Sequence, residues 1–289
     1  MTRDRHPVLD DLIGLLRLEQ LEVNLFRGES RDIGSKQVFG GQVLGQALSA
    51  ASYTVEEERC VHSLHSYFLR RGDMNAPIIY EVDRQRDGRS VSNRRVVAIQ
   101  HGRPIFNLAA SFQVEQSGLE HQAPMPDVPD PDTLETESPD SSMDLQHLPE
   151  KVRRFMFEQR PFDFRWVQPQ HYGTRVSEPR RQLWFRTAGR LPEEPALHRS
   201  MLAYVSDYGL LTTALLPHGK TMFSENLQMA SIDHAMWFHR PAQLDQWLLY
   251  SVDSPISIDT RGFARGQIYN RQGELVASTA QEGLMRLTS

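Results

Sequence analysis

The chain has 289 residues, a formal net charge of −5, and 39% hydrophobic against 24% charged residues. That balance describes a globular protein of one large or two ordinary domains and excludes a disordered chain. The negative charge gives no general affinity for nucleic acid, and the single cysteine excludes a disulfide framework or a thiolate-rich zinc site.

From the N-terminus, MTRDRHPVLDDLIGLLRLEQLE carries acids through its apolar stretch and lacks the long neutral core of a signal peptide. No run approaches the ~20 apolar residues that span a membrane. Leu287-Thr288-Ser289 is not a peroxisomal Ser-Lys-Leu address, so the cytoplasm is the expected compartment. The first predicted helix is Gly41–Ala51, whose small side chains let a curved sheet approach closely on several sides. Strands are predicted over Val61–Phe68, Ile78–Val82, Asn93–Ile99 and Pro104–Phe112, with a turn at His101-Gly102. Cys60, in Glu-Arg-Cys-Val-His at the first strand's start, reads as a semi-buried structural residue.

Composition then shifts. Residues 116–150 are rich in Pro, Asp, Glu and Ser, bury too little apolar surface to fold alone, and read as a surface linker. The predicted organisation is therefore an N-terminal domain over 1–115, a linker over 116–150 and a C-terminal domain over 151–289. In the second domain a helix is expected from Leu197 to Leu211, with Leu197, Met201, Leu202, Val205 and Tyr208 at helical spacing. Strands follow over Ser231–Phe238, Leu248–Val252, Arg261–Tyr269 and Leu275–Gln281, with a Gln272-Gly273 turn.

The two halves share this order. Tyr80 to Gly102 spans 22 residues and Tyr250 to Gly273 spans 23; His65 to Gly102 spans 37 and His234 to Gly273 spans 39. Four β-like segments in one order point to an internal duplication, each copy a helix followed by an antiparallel meander. The pattern alone gives the α+β class.

No G-x-S-x-G elbow, H-E-x-x-H, Walker A or G-x-G-x-x-G motif is present. Catalysis must therefore come from scattered polar side chains, and no metal or cofactor is expected. Asp207, near the end of the second helix, is either a solvated end residue or a carboxylate whose basicity burial has raised. Ser231 opens a strand and Gln281 closes one; taken alone, each reads as a solvated strand end. Strand alternation predicts Ser231 and Asp233 on one face and His234 on the other, and likewise sets His62 against His65. It gives Asp233-His234 a structural or surface role; His65 reads either as a satisfied core histidine or as a substrate contact. Arg94, Arg95, Arg261 and Arg265 read either as exposed strand residues or as a phosphate clamp.

The runs Val38–Ala47, Val61–Arg70, Ile232–Arg240 and Gln281–Arg286 are long and specific, and the match extends from about Leu18 to Arg286. On these residues the chain resembles the acyl-CoA thioesterase II family. The resemblance implies a double hotdog, a helix wrapped by an antiparallel sheet in each domain, and hydrolysis of fatty acyl-CoA. It places Asp207, Ser231 and Gln281 at the family's Asp, Thr-or-Ser and Gln positions, around one attacking water. The substrate is the expected partner, and pairing into a dimer or tetramer is expected by analogy. The rival readings are a hotdog enoyl-CoA hydratase, a mixed-anhydride mechanism with Asp207 as nucleophile, and a non-catalytic acyl-CoA-binding protein.

Overall fold

The computed structural model describes residues 6–31, 37–136, 150, 153–154, 160–168 and 175–288. After a short α1 (Pro7–Leu16), the first small-residue run forms α2 (Gly40–Ser52), in which Gly41 to Ala51 are all buried. The second apolar run forms α3 (Pro195–Ser206), opened by Pro195, whose missing N–H costs nothing in the first turn. It is shorter than Leu197–Leu211 because Gly209, at φ 74, turns the chain out of the helix. The next apolar residues, Leu211–His218, form 3-10 turns instead.

The strands are β1 (Glu19–Glu22), β2 (Leu25–Gly28), β3 (Arg59–Phe68), β4 (Ile78–Asp87), β5 (Val91–Gln100), β6 (Arg103–Val114), β7 (Phe162–Trp166), β8 (Arg180–Thr187), β9 (Leu227–Ser231), β10 (Asp233–Phe238), β11 (Leu248–Ile258), β12 (Arg261–Asn270) and β13 (Leu275–Leu287). They form one antiparallel sheet in the order β1-β2-β4-β5-β6-β3-β10-β13-β12-β11-β8-β7, with β9 also on β13. The order is the same read inward from either end: two meanders, one around each helix, joined where β3 pairs with β10. This is the double hotdog, of α+β class, that the resemblance implies.

The helices pack against each other inside the sheet. A Cβ on Gly41 would lie 2.3 Å from the Tyr204 carbonyl oxygen, and one on Gly45 would lie 2.9 Å from that of Ser200. The small residues of α2 therefore serve the approach of α3 as well as that of the sheet.

Strand-end hydrogen bonds fix how the two copies correspond. Leu69 and Arg70 donate their backbone N–H to Ile105, and His239 and Arg240 donate theirs to Val276. By that register Phe68 corresponds to Phe238, Tyr80 to Tyr250, and Leu64 to His234. The equivalent of His65 is Ala235, so the histidine match suggested by spacing is one residue out. Both copies also carry a β-bulge at the same place. The β3–β6 register shifts between Val61 and Ser63, and the Ser231–Gly283 pair is one residue out of step with the Ala235–Ala280 pair.

Of the segment 116–150, residues 137–149 lie outside the described residues. Its earlier part runs along the outer face of the C-terminal meander. Met125, Val128 and Leu134 pack on Trp184, Trp247, Leu249 and Tyr269, while Trp184 Nε1–H donates to Pro129 O at 3.0 Å. Arg271 bridges both carboxylate oxygens of Asp130 at 2.6 and 2.7 Å. Prolines suit this strap because an extended segment outside the sheet has few backbone bonds to lose.

Candidate active site

Asp207, Ser231 and Gln281 come from three elements and meet. Asp207 is the residue that caps the C-terminus of α3. Its Oδ1 accepts a 2.7 Å hydrogen bond from Gln281 Nε2–H, and Ser231 Oγ stands 3.3 Å from the same nitrogen. The carboxylate abuts the start of α2, where a Cβ on Gly40 would lie 2.7 Å from Oδ2. The C-terminal end of one central helix therefore delivers its carboxylate to the N-terminal end of the other. That end carries the partial positive charge of the helix dipole, and α2 has no side-chain cap to compete for it.

The bulge before β10 explains how Ser231 arrives there. Uninterrupted alternation would put Ser231 and His234 on opposite faces. The one-residue slip at Ile232 reverses the phase, so both turn inward towards Gln281. His234 is completely buried, with Nδ1 3.2 Å from Gln281 Nε2 and Nε2 3.0 Å from Ser206 Oγ. Asp233 points away and accepts the backbone N–H of Glu282 at 2.6 Å, so no Asp-His dyad forms, as alternation predicts for neighbours. The matching bulge in the N-terminal copy turns His62 outward onto Ser111. His65 is exposed and stands edge-on to Trp237 at 5.3 Å between ring centres. These two histidines thus share the outer face instead of opposing each other, and His65 is not a core residue.

Electrostatics favour an unusually basic carboxylate. Enclosure of Asp207 raises its pKa above the ordinary value, and the Gln281 hydrogen bond and the Gly41 backbone amide offset part of that rise. Some of its surface still meets solvent. Burial lowers the His234 pKa to about 3, so its imidazole is neutral. Gln281 is 1% exposed, and its Oε1 has no hydrogen-bond partner among the described residues. An unpaired buried carbonyl costs about 1–3 kcal/mol, and the cost falls here at the polar cluster.

Arg95, Arg261 and Arg265 are exposed strand residues, and Arg94 alone departs from both readings. Arg94 is 2% exposed and spends its guanidinium on Thr54, Asp87 and the carbonyls of Arg86 and Asn93. It is an internal brace and not a phosphate ligand. Arg261 pairs with Glu282 at 2.9 Å and Arg265 with Asp253 at 3.0 Å, while Arg95 is exposed. Cys60 is partly buried in β3.

By the strand-end register, Gln281 corresponds to Ala110, Ser231 to Val61 and His234 to Leu64, all three apolar and buried in the N-terminal copy. The polar cluster therefore exists once, although the fold is repeated. Sequence reasoning misses two of its parts. Gly40 is notable only once the carboxylate is placed against it, and His234 reads as a residue of the opposite face because a bulge cannot be read from alternation.

Residues 152–284 match a family model described as acyl-CoA thioesterase, and residues 27–113 match one described as acyl-CoA thioesterase N-terminal domain. The chain is 43% identical to acyl-CoA thioesterase 2 of Haemophilus influenzae over 97% of this chain and 99% of that one. It is 41% identical to human acyl-coenzyme A thioesterase 8 over 94% and 88%, respectively. Among solved structures, an acyl-CoA thioesterase II from Mycobacterium marinum superposes with a TM-score of 0.80 at 42% identity, covering 96% of this chain and 99% of that one. A hot dog protein from Alicyclobacillus acidocaldarius, at 18% identity and a TM-score of 0.78 over 96% and 99%, shares the fold.

Proposed function

The chain belongs to the acyl-CoA thioesterase family, and on that footing we propose that it hydrolyses fatty acyl-CoA to free fatty acid and CoA at Asp207, Ser231 and Gln281. The observation that carries the assignment is the meeting of these three side chains, distant in sequence, around one buried amide nitrogen.

Asp207 is the general base. Its raised pKa makes it a better proton acceptor than an exposed carboxylate. A water held between Asp207 and the Ser231 hydroxyl loses a proton to the carboxylate as its oxygen attacks the thioester carbonyl carbon. The Gln281 amide fixes the carboxylate's orientation. With the Gly41 N–H held by Asp207, the Gly40 N–H in the first turn of α2 receives the oxyanion; a helix N-terminus suits developing negative charge. Collapse of the tetrahedral intermediate breaks the C–S bond, and the proton held by Asp207 passes to the departing CoA thiolate. No acyl-enzyme is required. General-base assistance accounts for about 10²–10⁴-fold of the rate.

Residues 1–115 and 151–289 are read as the two hotdog domains and 116–150 as their connection, a division that the separate matches at 27–113 and 152–284 support. A cytoplasmic location and a dimer or tetramer complete the reading. The lone, partly buried thiol argues for the first, and analogy with other hotdog proteins for the second.

The deciding experiment is release of free thiol from a chain-length series of acyl-CoA substrates, with crotonyl-CoA hydration measured in parallel. Thiol release without hydration supports the hydrolase. Hydration without thiol release would make the protein a hydratase, and binding without either product a carrier. Single turnover in ¹⁸O water labels the fatty acid if water attacks directly, and labels Asp207 if an anhydride forms.

A further inference from the structure

His234 takes no part in the mechanism above, yet among the described residues it is the one other side chain within hydrogen-bond distance of the Gln281 amide nitrogen. We propose that His234 is a positioning residue that locks the Gln281 amide, and that Ser206 fixes the imidazole tautomer needed for this. The inference rests on the catalytic reading of Asp207, Ser231 and Gln281.

The hydrogen bonds form a chain that starts on α3. Ser206 Oγ–H has one proton, and it donates to the Ala203 carbonyl at 2.8 Å. Towards His234 Nε2, 3.0 Å away, the hydroxyl can then only accept. The imidazole must therefore carry its proton on Nε2, which leaves a lone pair on Nδ1. That lone pair faces Gln281 Nε2 at 3.2 Å. Gln281 has two N–H bonds for three acceptors. The shortest goes to Asp207 Oδ1 at 2.7 Å, and His234 Nδ1 takes the second. Ser231 Oγ, at 3.3 Å, is then free of that N–H, so its hydroxyl can serve a water. With both N–H bonds committed, the amide cannot flip and present its oxygen to the Asp207 carboxylate.

The duplication independently indicates that this imidazole serves the site and not the fold. Leu64 fills the equivalent place in the N-terminal copy and is as fully buried as His234. The same sheet position, beside the same kind of central helix, is therefore satisfied by a leucine. The histidine occurs only in the copy that also has Ser231 and Gln281 in place of Val61 and Ala110. An apolar core position would otherwise not hold a ring whose nitrogens each need a partner.

The test combines His234→Leu, His234→Asn and Gln281→Ala with a free-thiol assay, thermal unfolding, and ¹⁵N spectra of histidine-labelled protein. Leucine should leave the melting temperature near that of the wild type and lower kcat by about 3–10-fold, the worth of one hydrogen bond, with KM within about twofold. Asparagine, which can offer an acceptor near the Nδ1 position, should recover most of the loss. Adding His234→Leu to Gln281→Ala should cost nothing further, because the two act as one unit. The spectra should show His234 protonated on Nε2 and not titrating between about pH 5 and 8.

Wild-type kcat in H234L, full additivity with Q281A, or a ring protonated on Nδ1 would each overturn the proposal. If H234L does not fold, the tautomer in the wild-type protein decides. An active Q281A has a different meaning, because it removes the underlying reading of the site along with this inference.

Discussion

Replacing Asp207 with asparagine tests the general base with little change of shape. The new carboxamide keeps one oxygen to accept the Gln281 N–H now at 2.7 Å, while its NH₂ group faces the start of α2 without accepting. The fold loses at most one acceptor, worth about 1–3 kcal/mol, against a typical total stability of about 5–15 kcal/mol. The variant should fold. Its kcat should fall by about 10²–10⁴-fold, equivalent to about 3–5 kcal/mol of transition-state stabilisation, with little change in KM.

The pH dependence sharpens this test. Asp207 must be ionised to act, and burial raises its pKa. The wild-type rate should therefore rise with pH through a limb above the ordinary aspartate range, and D207N should lack that limb. Stability carries the opposite sign. Because the folded-state pKa exceeds the unfolded one, folding takes up a proton between the two values. The Asp207 contribution is most favourable below the unfolded pKa and is lost as pH rises through the folded one. Denaturant titrations across that window should show wild-type stability falling relative to D207N as pH increases. A D207N enzyme within tenfold of wild-type kcat, or one that keeps the ascending limb, would refute the assignment.

Other substitutions probe the neighbours. Gly40→Ala places a Cβ 2.7 Å from Asp207 Oδ2 and 3.1 Å from Phe68 Cε1; displacing the carboxylate should lower kcat by at least about tenfold, and overpacking should cost about 1–3 kcal/mol in a denaturant titration. Ser231→Ala should reduce kcat by about 5–10-fold through one lost hydroxyl contact, whereas Ser231→Thr keeps the hydroxyl and should stay within about threefold. Arg94→Leu strips the donors from Thr54, Asp87 and two carbonyls and should destabilise by about 3 kcal/mol, with kcat per folded molecule unchanged. Retained stability in that variant would restore Arg94 as a candidate for binding and not bracing.

Much of the architecture is legible in the sequence because periodicity and turn residues carry it. The strands of both meanders, the glycine turns and the two buried helices all follow from local pattern. The edge hairpins β1–β2 and β7–β8 are not anticipated, since short edge strands such as Glu19–Glu22, exposed throughout, show no apolar alternation. The three catalytic candidates rest on family resemblance; nothing local separates Ser231 or Gln281 from a solvated strand end. His234 shows the limit most clearly. Alternation gives the right face for Asp233 relative to His234, and the wrong relation between Ser231 and His234. A one-residue bulge leaves no compositional mark, so its effect on facing appears only through the cross-strand register.

The asymmetry between the copies has a physical basis in the joined chain. In a symmetric pair of identical hotdogs, the N-terminus of each helix would meet the C-terminal end of the other, and two equivalent clusters would form. Fusion lets the two junctions differ. At one, α2 offers its uncapped N-terminus and Gly40 leaves room for the α3 carboxylate. The positions matching the polar strand residues of that site are Val61, Leu64 and Ala110, and they pack as core. Each apolar replacement relieves the desolvation cost of a buried polar group, so the N-terminal copy can contribute to stability. The C-terminal copy retains the polar cluster, and enclosure there raises the basicity of Asp207 against the opposing effect of its hydrogen bonds. Transplanting the cluster by Val61→Ser, Leu64→His and Ala110→Gln should therefore lower the melting temperature without adding thiol-release activity, because Tyr53, at the α2 C-terminus, is not a carboxylate. Activity gained by that variant, measured in a D207N background, would show that the helix-end carboxylate is dispensable.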